Sequence, residues 1–187
     1  MTTPPPCAST TKGSWHAWMG FSGCTLGAEA RQQAALATGR GGLGLRSAAD
    51  HSPAAYLASV TAALPHCQNL DPGYRADYAL TAHALGRLNS ALLPADRLPA
   101  PAPPNLRQQQ LPHALDKATL ARLAVPAPGR EAARAHLQLL QQPGAGAWLN
   151  APPAEALGLS VEPRLFRTML QMRLRLPVFD NDGFCPL

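Results

Sequence analysis

Proline is the residue that most limits what this chain can fold into. Twenty prolines and fifteen glycines are spread over its 187 residues. Proline lacks a backbone N–H and clashes with the carbonyl four residues earlier in a helix, so it bends or ends helices. We therefore expect short elements instead of long uninterrupted helices. Because no strand alternation persists, the sequence predicts an all-α fold, a small irregular bundle of short helices broken by proline and glycine.

The composition predicts a thin core and an intracellular setting. Hydrophobic residues make up 46% of the chain but aromatic residues only 5%, and the alanine that fills much of this fraction buries little area. No apolar run approaches the roughly 18 residues of a membrane span, and the first residues lack the apolar stretch of a secretory signal. The four cysteines show no paired spacing, which favours reduced thiols in the cytoplasm or nucleus.

Composition along the chain predicts four segments. Residues 1–23 are rich in Pro, Thr, Ser and Gly and are expected to be disordered. A helical segment follows over 24–93 and contains a glycine-rich turn. The proline-rich run PADRLPAPAPPN, residues 94–105, is predicted to be an extended linker and the one internal boundary. Residues 106–187 form the second helical segment, which ends in a basic amphipathic helix.

Capping signals predict where the helices begin. A short helix is expected over Ala28–Ala37, closed by the glycines. Ser52 as N-cap with Pro53 at the first helical position predicts a second helix that runs to Pro65. Further starts are predicted at Asp71-Pro72-Gly73, at Leu106, at Pro128 to Glu131, and at Glu162-Pro163.

The glycine-rich stretch allows two interpretations. Residues 39–44, GRGGLG, match the G-x-G-x-x-G pattern of dinucleotide-binding loops, which requires a preceding strand and an acidic residue about 20 positions later. The preceding residues favour helix, and no Asp or Glu occurs between positions 51 and 70. The residues therefore favour a helix C-cap and tight turn, with Leu43 and Leu45 directed into the core and Arg46 in solvent.

Candidate catalytic and metal-binding groups are sparse. Structural zinc sites show two close ligand pairs, whereas His66-Cys67 stands alone and is expected in a loop after a helix. The stretch 179–183, FDNDG, most simply forms a turn. No G-x-S-x-G elbow is present. The sequence predicts no catalytic residue, no metal site and no cofactor.

Arginine dominates the charge and suggests a phosphate-rich partner. Sixteen basic residues face eleven acidic ones, a net charge of +5. At 100° per residue, Arg164, Arg167, Gln171 and Arg175 would form one stripe on the last helix. The stripe is either an ordinary solvated face or a phosphate-contacting surface. Arg173 falls within the opposite, apolar face, so the helix is expected to fray or be capped near it.

The segment GGLGLRSA followed by PAAYLAS resembles the region beyond the polymerase domain in reverse transcriptases of non-LTR (LINE-like) retrotransposons. Two further groups are similar to the stretch that leads into the family's Cys/His knuckle: 146–149 (GAWL), and 166–170 (FRTML) with 174–177 (LRLP). Cys185-Pro186-Leu187 resembles the first residues of that knuckle. The resemblance covers about 28–64 and, more weakly, 144–187. It implies a helical connector between thumb and knuckle.

The family's polymerase chemistry does not carry over, because its aromatic-x-Asp-Asp motif, which holds two metal ions, is absent from the sequence. We therefore expect a non-enzymatic fragment that binds RNA or DNA weakly and non-specifically, through Arg164, Arg167, Arg175, Arg40 and Arg46, with no membrane partner. The alternatives are a helical protein-interaction module with Tyr56, Trp148 and Phe166 as exposed anchors, a small enzyme whose site the sequence does not reveal, and a degenerate reading frame.

Overall fold

The structure of the chain, a computed structural model, describes residues 25–104, 106–152, 154–158 and 160–178. Over these ranges the regular structure is helical throughout, which confirms the predicted all-α class. The α-helices there are α1 (Ala28–Ala35), α2 (Ala48–Leu70), α3 (Tyr78–Ala91), α4 (Gln110–Leu123), α5 (Glu131–Leu140), α6 (Ala147–Asn150) and α7 (Pro163–Arg173). Short 3₁₀ turns span Thr38–Arg40, Pro94–Asp96 and Glu155–Leu157. The predicted disorder of 1–23 lies outside the described residues.

The chain divides into two compact units. Residues Ser47–Ala121 form a central unit, and the stretches on either side of it, up to Arg46 and from Arg122 onward, together form a terminal unit. These limits differ from the segments drawn from composition. The proline-rich stretch 94–105 lies inside the central unit, so it does not separate the two.

The central unit is built around the packing of α2 against α3. Leu57 of α2 and Leu88 of α3 are fully buried at its centre. The rest of this core comes from small and branched apolar side chains: Ala54, Ala84, Leu85, Leu92, Leu111 and Leu115. As the composition predicts, the core is made of leucine and alanine, with Tyr56 only packed against its edge.

Helix α2 begins five residues before the predicted start. Its N-cap is Ser47, whose hydroxyl accepts a 3.3 Å hydrogen bond from the backbone N–H of Asp50. Pro53 lies inside the helix and cannot bond to the carbonyl of Ala49, four residues earlier. The Ser52 hydroxyl and the guanidinium of Arg87 donate to that carbonyl instead, each at 3.2 Å. The predicted Ser52 N-cap was therefore wrong, because side chains replace the missing N–H.

Helix α2 also continues past its predicted end. Pro65 lies within it, and the helix reaches Leu70, for a length of 23 residues. The expectation that proline would leave only short helices was wrong for this element. His66 and Cys67 consequently lie on the helix and not in a loop after it.

The proline-rich stretch is attached to α3 and α4 by side chains. The amide nitrogen of Asn89 donates to the carbonyl of Leu98, and its amide oxygen accepts from the Leu98 N–H, both at 2.8 Å. The ammonium of Lys117 lies 2.9 Å from a carboxylate oxygen of Asp96. These bonds anchor Asp96 and Leu98 of the stretch within the central unit.

Two further helices begin later than predicted. Asp77 is the N-cap of α3 and accepts from Leu80 N–H at 2.9 Å, whereas Asp71 forms a local turn by accepting from Gly73 N–H. Helix α4 starts at Gln110. This places Pro112 in the first turn, where a missing N–H leaves no helical bond unmade.

The terminal unit brings together segments from both ends of the described chain. Its apolar cluster contains Leu26 and Ala34 at one end of the sequence and Leu174 at the other. Leu43 and Leu45 pack against this cluster, as predicted, and Arg46 is exposed. Helix α7 begins at the predicted Glu162-Pro163 pair: the Glu162 carboxylate accepts from Leu165 N–H at 2.9 Å.

Candidate nucleic-acid interface

The glycine-rich segment is a helix cap whose N–H groups are turned inward. After α1 ends, the N–H of Gly42 donates to Ala37 O, and those of Leu43 and Leu45 both donate to Ala34 O. Gly44 N–H donates to Leu36 O at 2.8 Å. A phosphate-binding loop needs such N–H groups to point at the ligand. The segment therefore does not have the geometry of a dinucleotide loop, and the predicted tight turn is confirmed. The C-cap of α1 is Leu36 in an extended conformation, and the glycine with positive φ, Gly41, caps the Thr38–Arg40 turn instead.

Two of these glycines are required by space and backbone angle. A Cβ on Gly42 would overlap the carbonyl oxygen of Leu36 and lie 2.6 Å from that of Gln33. Gly41 has φ +90, and a Cβ there would lie 3.1 Å from Leu137 and 3.2 Å from Leu140 of α5. Close packing within the terminal unit therefore explains why glycine occurs at positions 41 and 42.

Arg173, the last residue of α7, fastens this turn to the rest of the unit. Its guanidinium donates through Nε to Gly42 O at 3.0 Å, through Nη1 to Ala145 O at 3.0 Å and through Nη2 to Thr38 O at 2.6 Å. The residue is only 4% exposed. A guanidinium carries five N–H donors in a rigid planar fork, so it can bond to three separate carbonyls at once, which a lysine ammonium could not do. We call this arrangement the Arg173 clamp.

The backbone of Arg173 is bound as well as its side chain. Its carbonyl accepts from the Gln33 amide at 2.9 Å and lies 3.1 Å from a ring nitrogen of His136. Burial lowers the pKa of Arg173 from its ordinary value, yet a guanidinium keeps its proton in proteins. Sequence reasoning located the helix end near this residue but missed the clamp; the signal was a charge on an apolar face.

The predicted basic stripe on the last helix does not form as one surface. Arg164 and Arg167 are exposed on α7, but Gln171 is only 7% exposed. Arg175 follows the end of the helix and has a left-handed backbone with φ 54. The prediction of a continuous stripe was wrong because the helix stops at the clamp. Two exposed arginines remain on α7, and Arg175 lies two residues past its end.

Charge is distributed unequally between the two units. The described part of the terminal unit holds ten arginines and four glutamates, whereas the central unit balances five basic against five acidic residues. At least three of the ten are bonded within the fold: Arg173 in the clamp, Arg130 in an ion pair with Glu29, and Arg31 to the carbonyl of Leu26. The excess positive charge of the described chain therefore belongs to the terminal unit.

Arg40, another of the predicted arginines, lies half-buried in the Thr38–Arg40 turn, which α6 contacts. Trp148 of α6 meets Phe166 of α7 edge to face, with ring centroids 5.7 Å apart. Phe166 directly precedes Arg167 in α7. These contacts bring the turn and the exposed arginines of α7 into one part of the terminal unit.

The aromatic anchors expected for a protein-interaction module are only half-exposed. Tyr56, Trp148 and Phe166 are each partly covered. The most exposed large apolar side chains lie instead around the connection between α2 and α3, with Leu70 at 90% and Tyr78 at 84%. Neither residue is among the anchors that the sequence predicts.

The described ranges contain neither a candidate metal cluster nor a candidate membrane span. Within them, no group of three or more His, Cys, Asp or Glu side chains is arranged to hold a metal ion. No helix described there is both long and apolar enough to cross a membrane. Cys185, the residue that resembles the start of a zinc knuckle, lies outside the described residues.

Comparison of the chain with known proteins finds no matching family model, no matching curated protein and no matching solved structure. The retroelement resemblance stays a prediction drawn from the residues.

Proposed function

We propose that the chain is a non-catalytic helical segment of a reverse transcriptase-like protein, and that its terminal unit contacts the RNA or DNA backbone weakly and without sequence preference. The observation that carries the proposal is the segregation of charge, because ten arginines and four glutamates share one unit. Neutralising phosphates releases condensed counterions, which supplies most of the affinity of non-specific binding.

The residues assigned to this contact are Arg164 and Arg167 of α7, with Arg40 and Arg46 of the glycine turn. Arg164, Arg167 and Arg46 are exposed. An arginine fork matches phosphate oxygens, so exposed guanidiniums on one unit form a suitable surface for a nucleic-acid backbone.

The packing of the resembling segments also supports the proposal. Residues 28–46 and 144–178 belong to the stretches that resemble the retroelement family, and both contribute to the terminal unit. The Arg173 clamp joins them directly, from α7 to the glycine turn. A connector that folds as one body needs such a contact between distant segments.

The test is the salt dependence of binding by the full chain to a labelled single-stranded RNA and to a DNA of the same length. We expect affinity to fall steeply between about 50 and 200 mM salt, with a similar slope for unrelated sequences. An affinity that does not change with salt concentration, or no binding at the lower salt concentration, would contradict the proposal.

Protein interaction is the second candidate, favoured by the exposure of Leu70 and Tyr78 in the central unit. Large apolar side chains that remain this exposed often mark contact surfaces. The double variant Leu70→Ser/Tyr78→Ser should then lose a partner that the parent chain retains on an affinity column. If the parent retains no partner, this candidate fails.

A further inference from the structure

A groove with a volume of about 450 Å³ lies within the terminal unit, between α1, α5 and the residues after α7. Its lining combines apolar and charged side chains: Glu29, Leu123, Arg130, Leu137, Leu174 and Arg175. Arg175, which the sequence placed among the nucleic-acid-binding arginines, lines the groove, whereas the four arginines of the proposed function do not. The volume lies within the range of about 300–1,000 Å³ that small-molecule sites occupy.

The groove has an apolar floor. Leu123, Leu137 and Leu174 are each at most 6% exposed, and they come from three separate segments of the unit. Ala30 and Ala133 add two small side chains. A chain or ring of carbon atoms could lie on this floor and lose contact with water.

The rim of the groove carries one positive charge in excess. Arg130 is paired with Glu29, so these two side chains balance each other. Arg175 adds a second guanidinium to the lining. The amide of Gln33, another lining residue, is already bonded to the carbonyls of Gly41 and Arg173. Arg175 is thus the side chain that gives the rim its net charge.

The backbone holds Arg175 in an unusual conformation at this rim. Among the described residues it is the one non-glycine position with positive φ, at 54°. Its N–H donates to Met172 O at 3.1 Å, and the next N–H, of Leu176, donates to Gln171 O at 2.8 Å. These two bonds form the Schellman motif that ends α7, in which the residue after the C-cap takes a left-handed conformation and is usually glycine. The turn therefore fixes a charged residue where glycine would fit more easily.

We propose that this groove binds a small amphipathic carboxylate, with its apolar chain on the leucine floor and its carboxylate on the guanidinium of Arg175. An apolar molecule without a charge would leave the excess charge of the rim unpaired. A cation would be repelled by it. The site is separate from the proposed nucleic-acid surface, so either proposal can fail without the other.

The experiment is calorimetric titration of the full chain with octanoate, below the concentration at which it forms micelles. We expect one octanoate per chain, and no measurable binding of octylammonium, which has the same tail with the opposite charge. The decisive variant is Arg175→Gly, since glycine suits a φ of 54° and keeps the fold. Octanoate affinity should fall about tenfold or more, as expected when a charge-assisted hydrogen bond is lost.

Three control variants show whether octanoate binds in the groove and through Arg175. Arg164→Ala removes an exposed arginine outside the groove and should leave octanoate affinity unchanged, whereas Arg175→Lys should keep part of it. Ala133→Phe fills the floor and should abolish binding. The proposal is overturned if octanoate does not bind the parent chain, if Arg175→Gly or Ala133→Phe binds it equally well, or if an acidic peptide binds where octanoate does not.

Discussion

The Nε atom of Arg173 donates a hydrogen bond to the carbonyl oxygen of Gly42 at 3.0 Å, although 131 positions separate the two residues. This bond and the one to Thr38 O connect the end of α7 to a turn near the start of the described chain, and a third bond from the same guanidinium reaches Ala145 O. The Arg173 side chain is therefore a central one among the contacts that close the terminal unit. Substitution of Arg173 tests this directly.

We expect Arg173→Met to destabilise the chain by about 3 kcal/mol or more, because the carbonyls of Gly42, Thr38 and Ala145 lose a charged donor in a buried setting. Arg173→Lys should recover only part of this, since an ammonium cannot reach three separated carbonyls in a planar fork. Urea unfolding followed by circular dichroism measures both. If Arg173→Lys unfolds at the same urea midpoint as the parent chain, the planar geometry of the guanidinium is not needed for stability.

The two glycines Gly39 and Gly42 should respond oppositely to alanine. A methyl group at Gly42 overlaps the Leu36 carbonyl, whereas nothing lies within 4 Å of a Cβ at Gly39. We expect Gly42→Ala to lower stability by about 2–4 kcal/mol and Gly39→Ala to be neutral or slightly stabilising. Thermal unfolding of the two variants compares them, and equal midpoints would rule out the close approach at Gly42.

Local chemistry explains which helix ends the sequence could predict. Glu162-Pro163 was located correctly because a capping carboxylate and a proline at the first position act within one turn. Arg173 could not be assigned from its neighbours, since its partners Gly42 and Thr38 lie more than 130 positions away. The same limit applies to the groove, whose lining joins three distant segments.

Ser52 shows how a local signal can be overruled. With Pro53 after it, Ser52 has the pattern of an N-cap, but Ser47 performs that role. The pattern failed because Arg87, 38 positions along the chain, helps to satisfy the Ala49 carbonyl that the proline leaves unbonded. Tertiary contact therefore permits a proline that the sequence alone would read as a helix start.

The correct N-cap can be established by a pair of substitutions. Ser47→Ala removes the acceptor of the Asp50 N–H and should cost about 1 kcal/mol. Ser52→Ala leaves Arg87 bonded to the Ala49 carbonyl, so it should cost less than about 0.5 kcal/mol. Chemical denaturation measures the stability of both variants. If Ser52→Ala costs more stability than Ser47→Ala, Ser52 is the N-cap and the helix starts later.

Acid should weaken the start of α7. The backbone N–H of Leu165, and next that of Arg164, hold the pKa of Glu162 below its ordinary value. A carboxylate with a lowered folded-state pKa stabilises the fold above its unfolded pKa, about 4.3, and loses this effect as pH falls through the folded value.

The measurement is the unfolding midpoint of Glu162→Ala relative to the parent chain as a function of pH. The difference should be largest at neutral pH and vanish near pH 2. Glu155→Ala, which removes another exposed carboxylate of the terminal unit, serves as the control for general charge effects. A constant difference across this pH range would mean that the Glu162 carboxylate is not the cap.

Charge reversal should locate the nucleic-acid surface. We expect Arg164→Glu/Arg167→Glu to weaken RNA binding and to reduce the slope of log affinity against log salt by about 2, one unit for each lost phosphate contact. The matched double variant Arg97→Glu/Arg107→Glu makes the same change in net charge on exposed positions of the central unit. Equal losses from both pairs would show that net charge alone governs binding.

The Arg173 clamp also sets an order for folding during synthesis. A ribosome adds about 5–20 residues per second. Arg173 is therefore made on the order of ten seconds after Gly42, which lies 131 positions earlier. The central unit is complete in sequence well before that. The chain should therefore emerge with its middle folded first, and its two flanking stretches can join only after Arg173 has been made.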